Sequence, residues 1–232
     1  MVVIMGDNGT PDTVLDDAVN DGEAYGSYYI NNVITTATQH LKSSLYEGGV
    51  KVPLIVSGPM VGGTAGRKIM QPVYIPDLFA TFLDATDVSM PIQEGTYYDS
   101  HSILGLLSSD KGTTTREEIF IDDTEQNGFF GLTSFDSIER NSVLISRFTV
   151  AEYGSHKGTY KMHRDTLAGT IELYMLRDGS DNHVDSYEQS DLSASFSVAT
   201  DARGAIYSYM ASRIQYYIDS NGGANLEPGY DT

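Results

Sequence analysis

The sequence predicts an α/β portion followed by a small antiparallel sheet that is closed by a C-terminal helix. Apolar runs at residues 2–5 and 52–56 are typical of buried strands, and each ends at a glycine-containing turn. After residue 117, short β-like runs alternate with Gly, Asp and Asn turns, which indicates an antiparallel sheet. We place the boundary near residue 115, so that the two parts span residues 1–115 and 116–232.

Composition excludes several classes of function. The 232 residues carry 32 acidic and 14 basic side chains, a net charge of −18 that disfavours nucleic-acid binding. No apolar run approaches the length of a membrane span, and no signal peptide is visible. The absence of cysteine excludes disulfides, thiolate metal sites and a cysteine nucleophile within these residues. Because Met1 opens directly onto a strand, we expect further sequence upstream.

The first candidate site is the turn that ends the first strand. Asp7 and Asn8 stand between Gly6 and Gly9, and carboxylate and amide oxygens at the carboxyl end of a strand are typical of a site for a metal or an anionic ligand. The flanking glycines let the backbone approach whatever binds there. Asp-Asn-Gly is also a common turn, so this motif alone leaves both interpretations open.

The next elements follow from local patterns. Residues 12–44 show no clean period and are expected to form a long surface loop. Pro76 and Asp77 predict a helix start, and Leu78, Phe79, Phe82 and Leu83 share one face that we expect in the core.

The C-terminal part is predicted to contain four strands and one helix. The strands are expected around residues 119–121, 142–150, 158–163 and 171–176. The helix is expected over residues 201–219, with Ile206, Met210, Ile214 and Tyr217 on one stripe and a stop at the following Asn-Gly-Gly.

Three ordered stretches resemble the sulfatase family of the alkaline-phosphatase superfamily. They are residues 2–11 (VVIMGDNGTP), residues 42–59 (KSSLYEGGVKVPLIVSGP) and residues 76–88 (PDLFATFLDATDV), the last followed by the segment DSHSI at residues 99–103. The C-terminal part agrees more weakly, through YKM at residues 160–162 and ELYML at residues 172–176, where Met175 replaces the family's usual Asp. The resemblance implies the C-terminal part of an alkaline-phosphatase-like mixed sheet with flanking helices.

The resemblance also implies a site. Asp7 and Asn8 match two oxygen ligands of the family's Ca²⁺ or Mg²⁺ ion, and hard oxygens suit such a cation. Lys42 matches the lysine that contacts a sulfate oxygen and balances the charge that grows as the S–O bond breaks. His40 could face the same site, although no family position requires it, while the other four histidines are expected at the surface. The segment from Tyr46 to Gly49 is interpreted as a structural turn that positions Lys42.

The family's nucleophile is absent from this sequence. Sulfatases use a formylglycine made from Cys or Ser in a Cys/Ser-x-Pro/Ala-x-Arg motif, and no such motif occurs here. The resemblance therefore covers the C-terminal half of a sulfate-ester hydrolase, and we predict no activity for the chain alone. In the parent enzyme the formylglycine hydrate attacks sulfur, the alcohol leaves and sulfate is then lost. The resemblance implies a sulfated small molecule or glycan as substrate and a periplasmic or secreted location.

Two other classes of function stay open. One is a phosphodiesterase or phosphonate hydrolase of the same superfamily, although the Asp-Asn pair and the Tyr-Glu-Gly-Gly segment favour sulfatases. The other is a non-catalytic assembly module. A partial sheet would expose an edge and an apolar face, which promote self-association or pairing with a separate N-terminal half chain.

Overall fold

The computed structural model describes residues 1–9, 45–89, 99–125, 139–166, 168–185 and 188–220. Within these ranges the protein is a mixed α/β structure with two antiparallel sheets and a C-terminal helix. This architecture confirms the coarse fold class expected from the sequence. Lys42, His40, the expected loop at residues 12–44 and the expected Asn-Gly-Gly helix stop lie outside the described residues.

The first sheet pairs β1 (Val2–Met5) with β2 (Leu54–Ser57), and Ile4 lies opposite Ile55. Its inner face packs on a small apolar cluster. The expectation of fully buried strands is wrong for the outer face, where Val2, Ile4 and Ile55 are each about 60% exposed. A sheet has two faces, and in the described part of the chain only one of them has a packing partner. The inner cluster comprises Met1, Leu54, Val56, Ile69, Val73, Ile103, Leu106 and Leu107.

Three helices accompany this sheet: α1 (Glu47–Val50), α2 (Asp77–Ala85) and α3 (Leu104–Ser108). The predicted start of α2 is confirmed. Its expected core face is wrong for Phe79 and Phe82, which are 44% and 46% exposed. The helix instead buries Asp77, Ala80 and Thr81, because polar partners satisfy the two polar side chains. The Thr81 hydroxyl, for example, accepts the backbone N–H of Ile103 at 3.0 Å.

The second sheet has the strand order β3 (Glu118–Glu125), β4 (Glu139–Phe148), β5 (Gly158–Asp165) and β6 (Thr170–Asp178). All three pairings are antiparallel. The predicted antiparallel sheet is therefore confirmed, with most strands longer than the sequence pattern suggests. A 3₁₀ segment (Ala151–His156) joins β4 to β5, and a short helix α4 (Ser193–Phe196) follows β6.

One face of this sheet packs against α5 (Ala202–Asp219), which confirms the predicted C-terminal helix. Asp201 begins the helix by accepting the N–H of Arg203 at 3.0 Å. Ile206, Met210 and Ile214 are fully buried against the sheet, and each contributes roughly 1.5–3 kcal/mol by leaving water. Side chains alternate along a strand, so the opposite face of β5 presents a different set of residues. That face positions the candidate site.

Candidate functional site

The turn that carries Asp7 and Asn8 leaves the first sheet at a defined point. β1 ends at Met5, and the Gly6 N–H donates to the carbonyl oxygen of Pro53 at 3.0 Å. Both Asp7 and Asn8 are then exposed. No hydrogen bond or ion pair within the described ranges uses their side-chain oxygens. Within the part of the chain that the structure describes, no protein group therefore competes with a cation for these oxygens.

The helical turn α1 lies directly behind these residues. Gly9 is buried, and a Cβ atom built on it would overlap the carbonyl oxygens of Gly48 and Gly49. Only glycine permits such close approach of two backbone segments. The interpretation of the Tyr-Glu-Gly-Gly segment as a structural turn is confirmed as far as its conformation is concerned. Its position against Gly9 places α1 beside the predicted metal ligands.

A buried charge network anchors α1 to the second sheet. Lys161 projects from β5 away from α5, and its side chain is fully buried. Its ammonium nitrogen lies 3.1 Å from Glu188 Oε1 and 3.4 Å from Glu47 Oε1. Glu188 Oε2 accepts the backbone N–H of Glu47 at 2.5 Å, and Lys51 lies 3.3 Å from Glu47 Oε2. Two cations and two carboxylates thus balance each other around α1.

His163 completes the network from the next inward position of β5. Its Nε2 lies 2.7 Å from Glu188 Oε1. Burial lowers the pKa of His163, and the charge of Lys161 lowers it further, against the opposing effect of Glu188. Burial would raise the pKa of Glu188, but the His163 hydrogen bond and the Lys161 charge outweigh burial and hold it below its usual range. A neutral imidazole therefore donates to an ionised carboxylate, and the expectation that His163 lies at the surface is wrong.

The Tyr46 side chain packs over this network. Its ring stacks on His163 with 4.3 Å between the ring centroids. Its hydroxyl donates to Glu172 Oε2 at 2.7 Å, and the Tyr174 hydroxyl donates to the same oxygen at 2.9 Å. Burial, together with the bond to Glu172, raises the pKa of Tyr46 well above its usual value. The phenol is therefore a permanent donor, and its contacts fix α1 to β6.

The geometry separates two roles. The network is closed and its polar groups are paired, so it resembles a structural anchor more than an acid–base pair open to substrate. The exposed turn carries the oxygens that could bind a cation. Asp7 and Asn8 supply only two such oxygens, whereas Ca²⁺ takes six to eight ligands. Among the described residues, no group of three or more Asp, Glu, His or Cys side chains could hold a metal ion.

The residues of the anchor were not singled out as functional from the sequence. Lys161 and Glu172 lie inside the strand segments that resemble the sulfatase family, and the resemblance indicates them only as parts of strands. A lysine flanked by Tyr160 and Met162 in a central strand is a usable signal, because a charge at such a position needs a buried partner. The partner Glu188 lies in a polar segment that carries no comparable signal.

Comparison with family models, with curated proteins and with solved structures finds no match for this chain. Across the described ranges, no helix combines the length and the apolar character needed to cross a membrane. The case for function therefore rests on the residues and their contacts.

Proposed function

We propose that these residues form the C-terminal half of a sulfate-ester hydrolase of the sulfatase family, built on an alkaline-phosphatase-like sheet. In this proposal Asp7 and Asn8 supply two oxygen ligands of a Ca²⁺ or Mg²⁺ ion, and Lys42 contacts the sulfate group. The other ligands and the formylglycine nucleophile come from residues outside this sequence, so the chain alone is inactive.

One observation carries the proposal: three of the segments that resemble the family meet in space. Gly9 packs against Gly48 and Gly49, which joins the first two segments. Tyr46 bonds Glu172 across 126 residues of sequence, which joins the second segment to the ELYML strand. Contact between these segments is what the proposal requires of residues that build one site.

The donor chemistry fits part of a hard-cation site. Both side chains are exposed at a strand end, and a carboxylate next to an amide limits the negative charge that would face an anionic substrate. A bound divalent cation would neutralise charge on a sulfate oxygen. The residues of this chain would orient that group from one side.

The test of the ligand assignment is a Ca²⁺ titration followed by NMR at the amides of residues 6–9. The Asp7→Asn variant should weaken binding at this turn by roughly tenfold or more, because a charged ligand is lost. Glu117→Gln is the matched control, since it removes the same charge from an exposed carboxylate elsewhere. If the wild-type chain binds Ca²⁺ at this turn, equal titrations of the two variants would remove Asp7 from the ligand set.

The test of the reaction compares substrates and polypeptides. Purified residues 1–232 should not hydrolyse an aryl sulfate, and turnover without a second polypeptide would contradict the proposal. Reading the DNA upstream of the Met1 codon should reveal an in-frame Cys-x-Pro-x-Arg or its Ser equivalent. The longer product should then hydrolyse sulfate esters faster than phosphate diesters. The reverse preference would favour the phosphodiesterase alternative.

The exposed apolar surface favours an assembly module as a second candidate. Val2, Ile4 and Ile55 cover the outer face of the first sheet, and Phe79 and Phe82 project from α2. Apolar patches of this kind mark surfaces that pair with other chains. In this case the chain would act by association with an N-terminal half chain or with itself.

A further inference from the structure

The conformation of α1 cannot come from its own sequence. It is a single turn of four residues, two of which are glycines, and isolated helices of this length do not persist in water. Few backbone bonds hold it from within: the N–H groups of Gly49 and Val50 both donate to the carbonyl oxygen of Tyr46, and the Lys51 N–H donates to the carbonyl oxygen of Glu47. Contacts from other parts of the chain must therefore hold α1 in this conformation.

The second sheet holds one of the residues that contact α1 in a fixed position. Lys161 lies in β5 between two paired neighbours, opposite Ile145 of β4 and Tyr174 of β6. Its backbone is fixed on both sides, and its buried side chain reaches α1 with a charge that water cannot screen. The sheet therefore fixes the position of the Lys161 ammonium group, and pairing with that group holds Glu47 in place.

Glu188 contacts α1 through one carboxylate oxygen and β5 through the other. One of its carboxylate oxygens accepts the Glu47 N–H, a group at the start of the turn that no intrahelical acceptor can satisfy. The other oxygen contacts both Lys161 and His163. The carboxylate thus links the backbone of α1 to two side chains of β5.

The turn in contact with α1 is the one that carries Asp7 and Asn8. Gly9 meets Gly48 and Gly49 without any intervening side chain, so a shift of α1 moves the backbone of residues 6–9 directly. At the other end, the Gly6 N–H bond to Pro53 fixes only the start of this turn.

We propose that Lys161 and Glu188 are positioning residues for the Asp7–Asn8 turn and act on it through Glu47 and α1. The mechanical link stands on the contacts above, whereas its consequence for cation binding rests on the proposed function. In this arrangement the C-terminal sheet takes part in the site without contributing a ligand. It holds α1 from behind, and α1 holds the turn.

Amide hydrogen exchange on the full chain tests the link without any metal or substrate. In Lys161→Met, the amides of Gly6, Glu47 and Lys51 should exchange roughly tenfold faster than in the wild type, while amides in the centre of β4 keep their protection. Lys161→Arg keeps the charge and should restore most of the protection. Arg213→Met is the matched control, because Arg213 pairs with Glu118 at 2.9 Å beside α5 rather than α1.

Glu47→Gln covers the case in which Lys161→Met does not fold. Glu47 is 11% exposed at its side chain, and the amide keeps its shape while weakening the bond to Lys161. The same local increase in exchange is expected. If the amides of Gly6, Glu47 and Lys51 exchange as slowly in Glu47→Gln as in Arg213→Met, the positioning role is overturned.

A Ca²⁺ titration of the same variants separates the two proposals. If Asp7 is a ligand, Asp7→Asn loses cation binding but keeps slow exchange at α1, whereas Glu47→Gln loses both. Slow exchange lost in Glu47→Gln with no Ca²⁺ response in any variant would support the link and reject cation binding by this chain alone.

Discussion

Asp77 is the residue whose removal should destabilise this protein most clearly. It is fully buried at the start of α2 and forms a bidentate pair with Arg116, whose side chain is 3% exposed. Its carboxylate also accepts the N–H groups of Tyr74 and His101, both at 2.9 Å. One side chain thus joins α2, the loop before α3 and the segment that leads into β3. The sequence alone indicates only that Asp77 begins a helix.

The expected cost of Asp77→Ala follows from these contacts. Breaking a buried ion pair by removing one partner costs about 3–5 kcal/mol, because the other charge stays buried without compensation. Asp99 lies 3.0 Å from Arg116, so it still compensates part of the Arg116 charge in the variant. The Asp99 side chain is 61% exposed. We therefore expect a loss near the lower limit, about 3 kcal/mol. For a chain of this size, such a loss lowers the unfolding midpoint by roughly 6–12 °C.

Thermal unfolding followed by far-UV circular dichroism and calorimetry measures this shift. Glu117→Ala is the control, since it removes a carboxylate that is exposed, and such surface substitutions usually change stability by less than about 0.5 kcal/mol. The double variant Asp77→Ala with Arg116→Met should be less destabilised than the sum of the two single variants, because no buried charge is left without a partner. A small shift for Asp77→Ala, or strict additivity in the double variant, would refute the reasoning.

Two further predictions concern acid stability and association. Burial holds the pKa of His163 below its ordinary value of about 6.5, so the unfolded chain takes up this proton first and stability should fall as the pH drops from about 7 to about 5. His163→Gln should reduce this fall in the unfolding midpoint, and an unchanged pH profile would contradict it. At still lower pH, protonation of Glu188, whose pKa is also depressed, should add to the loss in both proteins. The second prediction tests the assembly candidate: sizing chromatography with light scattering should show a mass that rises with concentration, and Ile4→Ser with Ile55→Ser should suppress the rise. A well-behaved wild-type monomer would count against that candidate.

Much of the fold could be predicted from local patterns. The four strands of the second sheet follow from short apolar runs between turn residues, and the short connection from Asp165 of β5 to Thr170 of β6 favours antiparallel pairing. The helix α5 follows from the spacing of Ile206, Met210 and Ile214, which all prove to be fully buried. In these segments local preference and tertiary packing agree, so a pattern read along the chain is sufficient.

The prediction was wrong where packing partners decide exposure. Phe79 and Phe82 form an apolar stripe on α2, but the helix buries the polar face that contains Asp77 and Thr81. A hydrophobic pattern identifies a face that would gain from burial, and it does not say whether another element covers that face. The same reason explains the exposed outer face of the first sheet.

The same distinction between local pattern and packing applies to the candidate site. The sequence by itself supplied the side chains proposed as oxygen ligands, Asp7 and Asn8, the glycines that permit close packing, and the resemblance from which the sulfatase proposal comes. Assignment of Lys42 and His40 to the site, and the boundary near residue 115, stay predictions. Only the tertiary structure decided that Lys161 and Glu188 meet Glu47 beside that turn and that His163 pairs with Glu188. The physical reason is that a buried charge is stable only beside its partner, and here strand pairing and chain folding bring together partners that are 114 residues apart in the sequence.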